Sequence, residues 1–153
     1  MANIAQIINV LQAMILTAGE KMILTPTYHV FEMYTVHHEA TLLPVTLRSQ
    51  NYQFGGEKIP ALSASASKDR EGRVHVTLSN LDANQEISLA CDVIDAKCEK
   101  VTGRVLTAPS IQAHNTFEQP EAVKPVAFTA FERTDRGLLV KLPAKSVVVL
   151  EIN

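Results

Sequence analysis

Apolar residues return at every second position through much of this chain, and that alternation most constrains its fold. Val74, Val76 and Leu78 point one way, with His75 and Thr77 opposite. Ile87, Leu89, Cys91 and Val93 repeat the pattern, as do Leu138, Val140 and Leu142. A period of two is the signature of strands with one face buried. The last run, SVVVLEI from Ser146 to Ile152, is apolar on both sides, as a central strand would be. Turn chemistry separates the runs: KDREG at 68–72, LDANQ at 81–85, TDRG at 134–137 and LPAK at 142–145. Short strands at this spacing predict an antiparallel sandwich rather than βαβ units. On this reading His75 lies on an outer, solvated face.

The first forty residues have another texture. MANIAQIINVLQAMILT is apolar but broken by Gln6, Asn9 and Gln12, and no charge precedes Glu20. A signal peptide needs a basic start and an unbroken apolar run, and a membrane span needs greater length and fewer amides. Neither fits, which leaves a true N-terminus or a cut edge open. A buried amide must be hydrogen-bonded or it costs about 1–3 kcal/mol. These amides are therefore either satisfied by the fold or turned toward a polar cavity. Thr25 and Pro26 form a helix start, with Thr as cap and Pro at the first helical position. One helix is predicted over Pro26–Ala40, its broad apolar side (Tyr28, Phe31, Tyr34) seeking a large partner. The stretch Thr107–Pro125 holds three prolines and does not alternate, and predicts an ordered loop crossing an edge or end of the sandwich.

Composition excludes several functions. The 153 residues suit one domain, or one domain with an appendage, and 46% hydrophobic residues can fill a core. Fourteen basic and sixteen acidic residues are spread evenly, so no basic stripe marks a nucleic-acid or anionic-membrane surface. Cys91 and Cys98 lack metal-site spacing and read as half-buried thiols of a reducing compartment.

No catalytic constellation is visible. There is no nucleophile elbow and no phosphate-cradling glycine loop. His37, His38 and Glu39 are adjacent, so their side chains diverge on a helix, and a solvated helix end is the better reading than a metal site. Glu32 and Glu39 stand two turns apart, which is reminiscent of an inverting carboxylate pair. Projecting sideways from a helix, they read instead as a solvated face. His29 reads as a packing residue, and His114, in the odd loop, as a candidate for a specific contact. No metal or cofactor is implied.

The segments ANIAQIINVLQAMILT, LTPTYHVFEMY and LLPV resemble the end of the catalytic domain of family 51 α-L-arabinofuranosidases. IPALSASAS, GRVHVTLSNLD, GRVLTAP, AHNTF and LPAKSVVVLE resemble the C-terminal sandwich of the same enzymes. The resemblance runs the length of the chain, in order. It implies a mainly β chain: an antiparallel, jelly-roll-like β-sandwich over residues 41–153. Before it, residues 1–40 would be a remnant of a (β/α)8 barrel, comprising the last strand end, a loop and the final helix.

The family removes terminal non-reducing α-L-arabinofuranosyl groups from arabinan, arabinoxylan and oligosaccharides, with retention, using two glutamates. Both normally lie upstream of the ANxAQ motif, so the resemblance implies a C-terminal fragment with no catalytic residue, inactive alone. One substrate-binding residue carries over: Gln6, whose family counterpart sits at the barrel mouth and hydrogen-bonds arabinose. Asn3 and Asn9 are expected to be structural amides. The implied partner is an arabinofuranosyl oligo- or polysaccharide held through the intact barrel, with no nucleic acid and no membrane. The implied location is cytoplasmic, and a homo-oligomer is compatible with the family. The alternative is a non-catalytic sandwich module that binds glycans or a partner chain. The absence of Trp and the small number of Tyr and Phe weaken it.

Overall fold

The structure, a computed structural model, describes residues 3–4, 6–94 and 98–153. Ala2 and Ala5 of the ANIAQ motif, and Met1, lie outside the described residues. The chain opens with a hairpin, β1 (Ile15–Ala18) and β2 (Lys21–Leu24), followed by helix α1 (Pro26–Met33). Then come β3 (Thr41–Leu43), a second hairpin of β4 (Asn51–Phe54) and β5 (Glu57–Pro60), β6 (Leu62–Lys68), β7 (Val74–Asn80) and β8 (Ile87–Asp92). The rest is β9 (Val101–Leu106), β10 (Val126–Ala127), β11 (Phe131–Thr134), β12 (Gly137–Leu142) and β13 (Ser146–Ile152).

Two antiparallel sheets form the predicted sandwich. One has the order β10-β9-β13-β7-β6-β3 and the other β11-β12-β8. The alternation explains the core between them. Val74, Val76 and Leu78 stand in register with Ile152, Leu150 and Val148, all on one face. That face meets Ile87, Leu138, Val140 and Leu142 from the second sheet. The two-faced strand, β13, lies inside the large sheet between β9 and β7, as its composition requires.

Its other face needs a second cover, and α1 provides part of it. Met33 is 1% exposed and clusters with Leu106, Val123 and Val149, flanked by Val30, Tyr34 and Val36. Val123 comes from the Thr107–Pro125 segment, so that segment crosses a face of the large sheet rather than its edge or end. Asn115 anchors it. Its amide donates to the carbonyls of Leu24 (2.8 Å) and Val123 (3.0 Å), and its Oδ1 accepts from Val123 N (2.7 Å). The molecule is thus three layers: helix with loop, six-stranded sheet, three-stranded sheet.

Two further expectations about these elements need correction. The predicted helix Pro26–Ala40 ends at Met33 and tightens into a 3-10 turn, Tyr34–His37. Thr35 Oγ1 donates back to the Glu32 carbonyl at 2.7 Å, a local bond that competes with regular helix. Glu39 then takes a positive φ of 56° and turns the chain into β3. The start is as expected, with Thr25 capping Tyr28 N (3.4 Å) and Pro26 leading the helix.

The second correction concerns His75. It is 3% exposed and its neighbour Thr77 1%, not solvated. The 3-10 turn lies over this face, and the Asp69–Arg73 turn folds beside His75. Alternation gives the opposite face, but not whether that face is covered.

The turns follow their sequence chemistry. Asp69 Oδ1 accepts from Arg73 N (2.8 Å) across KDREG. TDRG closes the β11–β12 hairpin with Thr134 opposite Gly137. Gly137 has φ 148°, and a Cβ there would meet the Cys91 carbonyl oxygen at 2.2 Å, so only glycine fits.

Candidate functional site

Gln6 is exposed, close to the start of the described chain. The backbone just after it is tied down. Met14 N (3.0 Å) and Ile15 N (3.1 Å) both donate to the Ile7 carbonyl, and Asn9 N donates to Ile15 O (3.1 Å). Asn9 clamps the same turn: its Nδ2 donates to Thr17 Oγ1 (2.8 Å) and its Oδ1 accepts from Thr17 N (2.7 Å). Of the three puzzling amides, Asn9 is therefore satisfied by the fold, whereas Gln6 and Gln12 face outward. Ile7, Ile8 and Leu11 are also exposed, Leu11 at 91%. Gln6 thus immediately precedes a hydrogen-bonded turn and, with exposed Ile7, Ile8 and Leu11 beside it in sequence, offers a neutral donor and acceptor.

The helix carboxylates do not form an acid–base pair. Glu32 receives a two-pronged hydrogen bond from Arg104 (2.8 and 2.9 Å), and Glu39 pairs with Arg70 (2.7 Å). The Arg104 hydrogen bond holds the Glu32 carboxyl below its ordinary pKa. A carboxylate held ionised by arginine is poorly suited to protonate a leaving group. Both pairs lie at the surface, where such contacts stabilise little.

His37 departs from its expected solvated role. It is half-buried between two hydroxyls, with Nδ1 2.6 Å from Ser67 Oγ and Nε2 3.2 Å from Thr77 Oγ1. Thr77 donates to the Ser65 carbonyl (3.4 Å), so its oxygen accepts from the imidazole. That assigns the proton to Nε2 and leaves Nδ1 to accept from Ser67. Burial, then His75 and His38, lower the His37 pKa and favour this neutral form. Ser67 is itself buried, so this Ser–His contact offers a substrate no nucleophile. Beside it a cleft of about 710 Å³ is lined by Phe31, Tyr34, His38 and Leu42. His38 is exposed, and His114 makes only a local contact, donating from Nδ1 to the Gln112 carbonyl (2.9 Å).

Asp69 ties another buried group into the turn. It accepts from His75 Nε2 (2.9 Å), Arg73 N (2.8 Å) and Arg73 Nε (2.7 Å). Chiefly the His75 hydrogen bond, then Arg73, hold its carboxyl well below the usual carboxylate range. A depressed folded pKa contributes stability above the unfolded value, about 3.9, that is lost as pH falls below it. Melting temperature should therefore fall steeply as pH drops below that value, and Asp69→Asn should flatten this limb while lowering stability at pH 7. A variant whose profile parallels the parent would overturn this role.

Cys91 and Cys98 are half-buried free thiols, and burial raises both pKa values, which leaves them poor nucleophiles. Among the described residues no group of three or more His, Cys, Asp or Glu side chains could hold a metal ion, and no helix is long and apolar enough to cross a membrane. Sequence reasoning missed the Ser67–His37–Thr77 contact, because its members lie 30 and 40 residues apart. It also missed a polar cleft beside the LDANQ turn, which alternation does not signal.

Comparison with known proteins places these features. A family model described as the α-L-arabinofuranosidase C-terminal domain matches residues 1–146. An intracellular exo-α-L-arabinofuranosidase of Bacteroides ovatus is 46% identical over 154 residues, covering 100% of this chain and 30% of that protein. The crystal structure of a GH51 arabinofuranosidase from Xanthomonas axonopodis pv. citri matches with a TM-score of 0.96 and 46% identity, over 100% of this chain and 31% of that one. An α-L-arabinofuranosidase from Thermotoga maritima, solved with arabinose, matches at TM-score 0.84 and 27% identity, over 97% of this chain and 33% of that one. The chain thus spans about 30% of the length of the curated relative it matches. It belongs to the α-L-arabinofuranosidase C-terminal domain family.

Proposed function

We propose that this chain serves as the C-terminal portion of a retaining α-L-arabinofuranosidase. The observation that carries this reading is 46% identity across the whole chain to a relative of which it spans only 30%. The substrate would be a terminal non-reducing α-L-arabinofuranosyl group on an oligo- or polysaccharide. The acid/base and nucleophile glutamates would come from the preceding barrel, since Glu32 and Glu39 are committed to Arg104 and Arg70. On its own the chain would have no route to a glycosyl-enzyme intermediate.

In this reading residues 1–40 complete the barrel and residues 41–153 form the appended sandwich. Gln6 would sit at the barrel mouth, where such active sites form. Its amide would donate to one sugar hydroxyl and accept from another without adding charge near the glutamates. Exposed Ile7, Ile8 and Leu11 would pack against the rest of the barrel. The relative's description as intracellular supports a cytoplasmic location for this protein too.

The test of Gln6 is steady-state kinetics on a chain carrying the upstream barrel. A neutral hydrogen bond contributes about 0.5–1.5 kcal/mol, so Gln6→Ala should lower kcat/KM on an aryl α-L-arabinofuranoside up to about tenfold. Unchanged kcat/KM would remove Gln6 from the substrate site.

A further inference from the structure

We infer that the sandwich carries a second, non-catalytic binding site for a neutral saccharide, in the cleft between β4 and the LDANQ turn. The cleft has a volume of about 370 Å³ and is lined by Asn51, Tyr52, Gln53, Asp82, Asn84 and Gln85. This lining is almost wholly uncharged yet dense in hydrogen-bonding groups. Each amide presents two donors and an acceptor, which suits neighbouring hydroxyls that both give and take protons. Among the described residues no lysine or arginine lines it, so a phosphate or carboxylate ligand would find no counter-charge there. Asp82 is the single acid, and its Oδ1 is already engaged by the amides of Asn84 (2.8 Å) and Gln85 (2.9 Å). That leaves no carboxylate cage for a hard cation.

The walls are fixed before any ligand arrives. Leu81 N donates to the Ala61 carbonyl and Ala61 N to the Gln50 carbonyl, both at 2.8 Å, which sets the β4 side against the turn. Asn80 is buried and donates to the carbonyls of Gln85 (2.9 Å), Leu142 (3.2 Å) and Pro143 (2.9 Å). Lys145 N donates to the Asp82 carbonyl at 2.8 Å. Asn51 and Gln53, two apart in a strand, share one face of β4. Gln53 Nε2 is held by the Gly55 carbonyl (3.2 Å), which orients its amide. Tyr52 points to the opposite face of β4 and packs against the core, which anchors the strand that carries the two amides. A preorganised polar surface loses little entropy on binding. The choice of an arabino-oligosaccharide as ligand rests on the function proposed above, whereas the cleft's preference for a neutral polyol does not.

The test is an NMR titration of the ¹⁵N-labelled chain with a linear arabino-oligosaccharide, with glucose oligomers and inorganic phosphate in parallel. Saturable shifts at the amides of residues 51–53 and 83–85 are expected with arabino-oligosaccharide, and none there with phosphate. The double variant Asn51→Ala, Gln85→Ala removes two exposed amides and should weaken binding about tenfold or more, with resonances elsewhere unchanged. Shifts with glucose oligomers alone would keep the saccharide site and count against the arabinosyl reading. No saturable shift with any saccharide, shifts confined to another surface, or equal affinity in the double variant would overturn the site. Turnover assays on the barrel-bearing protein are independent of these outcomes.

Discussion

Met33→Ala is expected to lower the stability of this chain by about 3 kcal/mol, within the ~2–5 kcal/mol range for truncating a buried large aliphatic side chain. Met33 is the most buried residue of α1 and fills the seam between helix and six-stranded sheet. Its neighbours come from three places: Leu106 on β9, Val149 on β13 and Val123 in the covering loop. Truncation would leave a cavity that three rigid walls cannot readily close. For a chain of this size the loss corresponds to a melting point lower by about 10 °C. Phe31→Ala, on the half-buried cleft side of the same helix, should cost clearly less, because part of that ring already meets solvent. Urea denaturation of both variants checks the ranking. A Met33 variant within about 0.5 kcal/mol of the parent, the range of ordinary surface changes, would show that the helix is not held by this seam.

Legibility in the sequence followed the range of the interaction. The sandwich was readable because alternation is local: Val74, Val76 and Leu78 declare a face without reference to any partner. The central place of Ser146–Ile152 was readable for the same reason, its second apolar face demanding a second cover. What supplied that cover was not. Val123 and Asn115 sit in a segment with no period, and their roles appear only when the chain brings them over Met33 and Leu24. His75 and His37 were misplaced because burial of an outer face depends on distant elements. The helix was too long by one tightened turn, set by a single Thr35 hydroxyl bond. Gln6 is a different case. The fold ties down the turn that starts at Ile7, but the proposed role of Gln6 rests on family resemblance.

The largest effect expected of this chain is catalytic, and it concerns what the chain lacks alone. Enzymes accelerate their reactions by about 10⁶-fold or more over the uncatalysed rate, and nearly all of that would depend on the two barrel glutamates. The described helix carboxylates that come nearest to a catalytic pair are neutralised by arginines, and Ser67, in contact with His37, is buried. Joined to a family barrel ending where this chain begins, the same residues would complete the sugar-binding mouth through Gln6. Turnover of an aryl α-L-arabinofuranoside, measured for the 153-residue chain alone and after fusion to such a barrel, tests the account most directly. The account predicts no release of aryl alcohol above background from the chain alone, and turnover from the fusion. Turnover by the chain alone would contradict it.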